Sequence, residues 1–389
     1  MPCDIIIIGG GPAGLAFAGG LAGSGLRVTL VERLSLSSLA DPADDGREIA
    51  LTHRSVATLE ALDAWRRIAP EAIAPLRAAH VLNGASPLAL SFEPDAPAGQ
   101  PLGWLVANHH IRRALFAAID EQPGLTLIAG AQVAAARTDR DGASVTLEDG
   151  RVLRARLLVA ADSRFSAIRA QLNIPAKVTR LGKSMLLARV EHDGDHQGIA
   201  TEWFDHGQTI ALLPLTGRRS SVVLTLPEDQ IARLAALAAP ALSAELTRRS
   251  DGRLGTMRVE GAAHVYPLAT VWCRHFAAPR AALIGDAAVG MHPVTAHGFN
   301  LGLRGGATLA GLLVRAAARG QDIGAASLLR RYEAVHRFAS APLFLATGAI
   351  VGLFTDDRPP ARLLRPALLH AAARVTPARA GISRLLMRH

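Results

Sequence analysis

The stretch from Asp4 to Arg33 constrains the fold of this chain more than any other. DIIII (4–8) is a short β-branched run of the kind buried in a parallel sheet. GGGPAG follows at once, then LAFAGGLAGSGL with helical spacing, then RVTLVER as a second strand ending in an acid. This order describes a βαβ unit whose turn reads Gly-x-Gly-x-x-Gly. Gly9 permits the tight turn, Gly11 lets a pyrophosphate approach bare backbone, and Gly14 lets helix and strand pack closely. Pro12 and Ala13 open the helix, whose unpaired N–H groups and partial positive charge suit phosphates. Glu32 lies eighteen residues past Gly14, where an acid accepts hydrogen bonds from a ribose diol, with Arg33 beside it. A dinucleotide is the expected ligand, and the motif does not separate FAD from NAD. The alternative is a glycine-rich turn followed by a surface glutamate.

Further along, REIALTH (47–53) reads as a third strand and RSVATLEALDAWRRI (54–68) as a helix. HIRRALFAAIDEQ (110–122) carries Ile111, Leu115, Ala118 and Ile119 at helical spacing. LTLIAG, AQVAAARTD, ASVTLEDG and RLLVAAD follow as short strands, and EDGR (148–151) marks a hairpin turn. Between about 176 and 274 the runs MLLARVEH, IALLPLTGR, SSVVLTLPE and HVYPLATVW are longer and polar-interleaved, which predicts an antiparallel sheet with one face covered. AALIGD (281–286) returns to the short buried style, and beyond 300 the chain reads as helical to the end. The predicted fold class is α/β with an α+β insert. A Rossmann-like nucleotide-binding domain takes residues 1–75, 103–175 and 275–320. An inserted antiparallel-sheet domain takes 76–102 and 176–274, and a C-terminal helical region takes 321–389. The proline-rich connector 76–102 is expected to be irregular.

The chain has 389 residues, half of them apolar, enough for a large core and two domains. A net charge of +9 would admit nucleic acid or an anionic surface. The basic residues are dispersed arginines, with lysine only at Lys177 and Lys183, and aromatic residues are 4%. With neither a basic stripe nor a stacking platform, nucleic acid is not an expected partner. Cys3 and Cys273 cannot build a disulfide framework. His292 and His297 have no cysteine or acid at ligand spacing, so no metal site is expected. Asp4 and the early glycines argue against a signal peptide. The longest apolar run, 341–354, has fourteen residues, short of the ~18 to 20 a spanning helix needs. A cytoplasmic location is the expectation.

GDAAVGMHPVTAHGFNLGL (285–303) is written neither as a core helix nor as a strand: bare backbone surrounds one carboxylate. With GGGPAG…ER and ADSRFSAIR (161–169), in this order, it resembles the single-component FAD-dependent aromatic hydroxylases. Within them the likeness is to the ubiquinone-biosynthesis UbiH/UbiF/VisC group, with the UbiM type nearest. GREIALTHRS and VANHHIRRALF sit where that branch has related segments, and the resemblance spans nearly the whole chain. It implies FAD as the cofactor and makes 285–303 the second flavin site, with the inserted sheet as the substrate domain. Gly285 and Asp286 would end a strand, Asp286 taking a ribityl hydroxyl. Pro293 would lie beside the ring with its carbonyl toward the substrate. Gly298, Phe299 and Asn300 would open a helix whose N-terminus stabilises negative charge on the reduced flavin. Asp162 would serve flavin binding, Arg169 would support its loop, and Asn108 and Arg47 would be polar positions near the cofactor. From the residues alone, Asp162 reads equally as the N-cap of a helix over SRFSAIR, and Asn108 and Arg47 as capping or surface residues.

The sequence departs from the family pattern at three places. Asp162-Ser163 stands for the common Asp-Gly, Ala296-His297-Gly298 for Gly-Gln-Gly, and a glycine at 305 or 306 for an acid. His297 either carries a proton to the flavin peroxide or the substrate phenol, or fills the hydrogen-bonding place of the glutamine. The resemblance implies that transiently bound NAD(P)H reduces FAD, that O2 adds at C4a, and that the distal oxygen passes to the ring of a polyprenylated phenol. It also implies association with a ubiquinone-biosynthesis complex. Residues 361–389, rich in leucine and arginine and free of acid, would suit a peripheral contact with the inner face of a bacterial inner membrane. Packing on the core and a subunit contact are equal alternatives for that segment. Three other functions stay open: a flavoprotein reductase of isoprenoid double bonds, a hydroxylase of a soluble aromatic, and a flavin-binding subunit of a biosynthetic complex without turnover.

Overall fold

The computed structural model describes residues 3–84, 89–94, 100–205 and 207–355. Four consecutive isoleucines make Ile5–Ile8 a strand buried on both faces, as the centre of a parallel sheet requires. Val28–Glu32 and Leu157–Ala160 flank it in parallel; Leu125–Ala129 and Ala281–Leu283 extend the sheet, and Ala277–Ala278 adds an antiparallel edge. Three well-separated parts of the chain therefore build one sheet. The helices Pro12–Gly19 and Gly298–Ala318 pack against each other. A Cβ added to Gly20, which caps the first, would lie 3.1 Å from the Ala310 methyl of the second.

An eight-stranded sheet follows. Across it the strands run Val289–Gly290, Met257–Cys273, Ala176–His192, Arg219–Pro227, Gln208–Pro214, Ile199–Asp205, Ala78–Asn83 and Leu90–Phe92. Neighbours are antiparallel except Ile199–Asp205 with Ala78–Asn83. Helices Glu228–Ala235 and Ala239–Arg249 cover one face, burying Ile231, Leu234 and Leu246 against Leu186, Val190 and Leu224. The other face turns toward the small sheet of Glu48–Leu51, Gly103–Ala107 and Ile73–Leu76, where Ala200 and Leu213 pack on Ala74, Leu76 and Leu105. A meander of Val133–Thr138, Ala143–Leu147 and Val152–Ala155 turns at Gly150, φ 86°, within the expected EDGR.

Several expectations need correction. The connector is not irregular throughout, because its alternating AAHVLN pairs with Ile199–Phe204 and extends the large sheet toward Leu90–Phe92. The third strand stops at Leu51, since Thr52 already caps the next helix by accepting the Ser55 N–H. That helix, His53–Ala61, is shorter than 54–68. Asp63 takes a left-handed φ of 60°, and only a 3-10 turn, Trp65–Arg67, follows. Beyond 300 the chain is helical over Gly298–Ala318 and Ala326–Thr355. The second helix is, over Ala326–Leu353, long and apolar enough by composition to cross a membrane, which the fourteen-residue run alone did not indicate. Its first half is docked: Tyr332 donates to the Leu283 carbonyl at 2.6 Å and Arg337 to the Cys273 and Arg274 carbonyls. The basic segment 361–389 lies outside the described residues.

Candidate active site

The site begins at the first turn. Gly9 has φ 110°, and a Cβ there would sit 2.5 Å from the Ala161 carbonyl oxygen; at Gly14 one would sit 1.9 Å from the Gly9 oxygen. At Gly11 it would meet nothing within 4 Å, so the space above the turn is open where a pyrophosphate would approach. Pro12 opens the helix at a position that needs no N–H, and the Ala13 methyl lies against Gly285. Glu32 is buried, and its two oxygens accept the Gly10 N–H at 2.5 Å and the Leu34 N–H at 2.9 Å. The expected ribose acceptor thus also braces the turn. Arg33 is exposed beside it.

The middle block abuts this turn, with the Asp162 Cα 2.9 Å from a Cβ built on Gly9. Asp162 is not the N-cap expected from sequence. Helix Ala167–Gln171 starts later, and Ser166 caps it by accepting the Arg169 N–H at 2.9 Å. Asp162 Oδ2 makes one long contact, 3.4 Å, with the Ile168 N–H, while Oδ1 is buried with no partner among the described residues. A buried carboxylate oxygen left alone is costly. Beside the Gly9 turn, it fits a hydroxyl of a bound dinucleotide. Arg169 is 6% exposed and donates to the Arg164 carbonyl at 3.1 Å and the Ala287 carbonyl at 3.0 Å, joining the middle block to the third. Cys273 donates its thiol to the same Ala287 oxygen, and burial pushes that thiol up to about 11, so it stays protonated.

In the third block Gly285 takes φ 60° at the start of a 3-10 turn. Asp286 Oδ2 pairs with Arg164 at 2.8 and 3.2 Å, and Oδ1 makes no hydrogen bond among the described residues. His292 accepts the Val294 N–H at 3.2 Å, and burial first, then the charges of Lys183 and Arg164, push it down to about 4. The Pro293 carbonyl, expected to face substrate, closes the next turn by accepting the Ala296 N–H at 2.8 Å, so only its second lone pair remains. Ala296 has φ 53°, which explains why the family pattern has glycine there. His297 is buried at the start of helix Gly298–Ala318, whose first N–H groups have no partner within the helix; its side chain does not cap them. Phe299 packs on the main core.

Two residues expected near the cofactor commit their side chains to protein partners. Asn300 accepts from the Thr52 N–H and Ser55 hydroxyl and donates to the Ala50 and Ala296 carbonyls, so its amide is fully used. Its side chain thereby positions the helix start against 50–55. Asn108 does begin its helix, but donates to Asp45 Oδ2 at 2.8 Å. Arg47 binds the same carboxylate at 2.6 Å. Burial would raise the Asp45 pKa, but Arg47 and Asn108 outweigh it and hold it below the ordinary carboxylate value. Burial likewise opposes the Arg47 charge, and Asp45 more than restores it. Tyr266, beneath the Arg47 guanidinium, donates to the Asp45 carbonyl at 2.8 Å. Asp45 and Arg164 organise the site and were not singled out from sequence. Arg164 lay inside the quoted middle block, whereas nothing in the run DPADDGR distinguished Asp45 from its neighbours.

Across from the third block, the large sheet and the loop after Asp286 enclose a small cavity of ≈ 80 Å³. Leu181, Lys183, Phe204, Thr209 and Thr225 line it from the sheet, His292 and Val294 from the loop, and Val351 from the last helix. A second, polar cavity of ≈ 350 Å³ opens beside Gly46, bounded by Asp44, Glu48, Arg189, Glu260 and His264. The geometry offers a dinucleotide cradle, an apolar chamber against its far end, and a helix N-terminus between them.

Comparison with known proteins agrees. Residues 2–341 match the family described as FAD binding domain. The chain is 44% identical over 387 residues to the ubiquinone hydroxylase UbiM of Neisseria meningitidis, covering 98% of this chain and 84% of the relative. It is 37% identical to the ubiquinone hydroxylase UbiL of Rhodospirillum rubrum, covering 99% and 89%. Among solved structures, p-nitrophenol 4-monooxygenase from Pseudomonas putida superposes with a TM-score of 0.78 at 18% identity, covering 99% and 98% of the two chains, a likeness of fold. The dinucleotide whose hydroxyls and phosphates these residues fit is therefore FAD, and the chain belongs to the FAD-binding-domain family of flavin-dependent monooxygenases.

Proposed function

We propose that this enzyme hydroxylates the aromatic ring of a polyprenylated phenol in ubiquinone biosynthesis, using O2 and a transiently bound NAD(P)H. The apolar chamber between the large sheet and the loop after Asp286 carries this reading, together with the likeness to two ubiquinone hydroxylases. Bound FAD would supply the oxidising chemistry. Gly9, Gly11, Gly14 and Glu32 would hold its dinucleotide end, and Asp162 and Asp286 its hydroxyls. The first N–H groups of Gly298–Ala318 would stabilise negative charge on its ring. His297 would supply a hydrogen-bonding group in place of the family glutamine. The large sheet would serve as the substrate-binding part and the parallel sheet as the FAD-binding part. His292, held neutral by burial, would add no charge to a chamber wall that already carries Lys183.

A prenylated substrate would be drawn from a membrane surface. The exposed Phe338 and Leu345 on the helix that carries Val351 support a peripheral contact there. The test is an absorption spectrum of the purified protein, followed by NADH or NADPH in air with and without a short-tailed demethoxy-quinol. The expected result is a yellow protein whose cofactor oxidation rises with the quinol and whose product is heavier by one oxygen. A yellow protein indifferent to the quinol would sink the reading in favour of a reductase or a non-catalytic flavoprotein.

A further inference from the structure

Glu202 is unlike every other acid near the chamber. It lies on Ile199–Asp205, and its register partners are Val81 on one side and Ala211 on the other; Val223 and Leu187 continue the row across the sheet. Side chains two apart on a strand share a face. Glu202 therefore points to the same side as Phe204, which with Thr209 and Thr225 forms the adjacent row and lines the chamber opposite His292 and Val294. The two rows are about 7 Å apart along the strand, within reach of a glutamate side chain. On the other flank of Glu202, Ala200 is sealed under Leu105 and its neighbours. Glu202 is half-buried and keeps some accessible surface, next to the chamber wall that its strand neighbour Phe204 forms.

No hydrogen bond, ion pair or nearby charge engages this carboxyl among the described residues. His264, at the far end of its row beyond Leu187, is the nearest titratable group in register; Lys183 stands on the same sheet at the chamber wall, and His292 on the loop opposite. Burial alone pushes Glu202 up to about 8, so at neutral pH it is mostly the uncharged acid, able both to donate and to accept. Such a group adds nothing to the fold that leucine would not add at lower cost. No described residue supplies its partner, and the adjacent space is the chamber bounded by its strand neighbour Phe204.

We infer that the Glu202 carboxyl anchors the ring hydroxyl of the aromatic substrate and so fixes which ring carbon faces the loop after Asp286. This rests on the reading of the enzyme as a phenol hydroxylase. Alanine at 211 keeps the position beside the carboxyl small, and its row neighbours Val81, Val223 and Leu187 carry no side-chain donor.

The test is calorimetric titration of the FAD-loaded full chain with a short-prenyl methoxyphenol and with its methyl ether, in wild type, Glu202→Leu and Glu202→Gln. Wild type should bind the phenol about 10-fold or more tighter than the ether, because a buried polar group loses its partner in the ether. Glu202→Leu should bind both alike, at the level of the ether. Glu202→Gln, which keeps an acceptor and a donor, should restore part of the preference. If Glu202→Leu discriminates as wild type does, the anchor is elsewhere while the phenol reading stands. Should the leucine variant not fold, Glu202→Ala is read the same way. If wild type binds neither compound, the phenol reading fails and the inference with it.

Discussion

At the scale of single residues, Asp286 and Arg169 divide one task. Asp286 would present a carboxylate to the cofactor and is held by Arg164; Arg169 ties the carbonyls of Arg164 and Ala287 together. Their variants should therefore fail differently. Asp286→Ala removes the ligand acceptor and leaves Arg164 without its counter-charge, so FAD should be largely lost on purification while the melting temperature of the apoprotein changes little. Arg169→Met takes a donor from the part-buried Arg164 carbonyl and leaves the buried Ala287 carbonyl only the weak Cys273 thiol, and should cost about 1 to 3 kcal/mol of stability, read as a lower melting temperature in apo and FAD-loaded protein alike. An Asp286→Ala protein with tightly held flavin, or an Arg169→Met protein as stable as wild type, would reverse these assignments. The glycines of the first turn could be assigned from sequence because their constraint is local: Gly14 needs only the Gly9 carbonyl to exclude a side chain. The partners of Asp286 and Asn108 could not, because Arg164 and Asp45 are brought in from 122 and 63 residues away. Glu202 was hidden for a different reason: a glutamate in an alternating strand reads as the solvent face.

At the scale of elements, the helix Gly298–Ala318 decides how close the third block can come to the first. Its glycines are contact points: a Cβ on Gly302 would lie 3.2 Å from the Gly285 Cα, and one on Gly305 would lie 2.6 Å from His336 Nε2. The resemblance has an acid at 305 or 306. Here the His336 ring fills the space at 305, stacked on Tyr332 at 5.7 Å and 2% exposed. Gly305→Ala would gain helix propensity of about 1 kcal/mol but force a ring that has nowhere to move. The net expectation is a loss of about 1 to 2 kcal/mol in chemical denaturation. His336→Ala in the same chain should give part of it back, the non-additive signature of a shared volume. Additive losses would show that the two residues do not compete for it. Helix position was legible from the glycine-rich run and the apolar stretch after it, but the partner of each glycine depends on how Ala326–Thr355 docks, which periodicity does not encode.

At the scale of the whole molecule, the alternation between short buried runs and longer interleaved ones was enough to separate the parallel sheet from the large antiparallel one. The parallel pairing of Ala78–Asn83 with Ile199–Asp205 was not legible, since it joins a connector to a strand over a hundred residues later. The last helix and the large sheet hold groups that titrate in opposite senses, and stability should follow. His336 is held down to about 4 by burial and then by the Arg304 charge, against an ordinary value of 6.5. Unfolding therefore takes up a proton between about pH 6.5 and 4, and stability falls as pH drops through that window, then levels below it. Glu202 is pushed up to about 8 by burial, against an ordinary 4.5. Unfolding releases its proton between about pH 4.5 and 8, so stability falls as pH rises through that range and levels above it. Where the windows overlap, from 4.5 to 6.5, the two slopes oppose; above 6.5 only the glutamate acts. In Glu202→Gln the amide cannot ionise, so its stability relative to wild type should climb between pH 5 and 8 by on the order of 2 to 4 kcal/mol and stay constant from 8 to 9. Urea denaturation midpoints of the two proteins across that range test it. Parallel curves would mean that Glu202 is ionised in the folded chain and that a donor the sheet does not supply already reaches it.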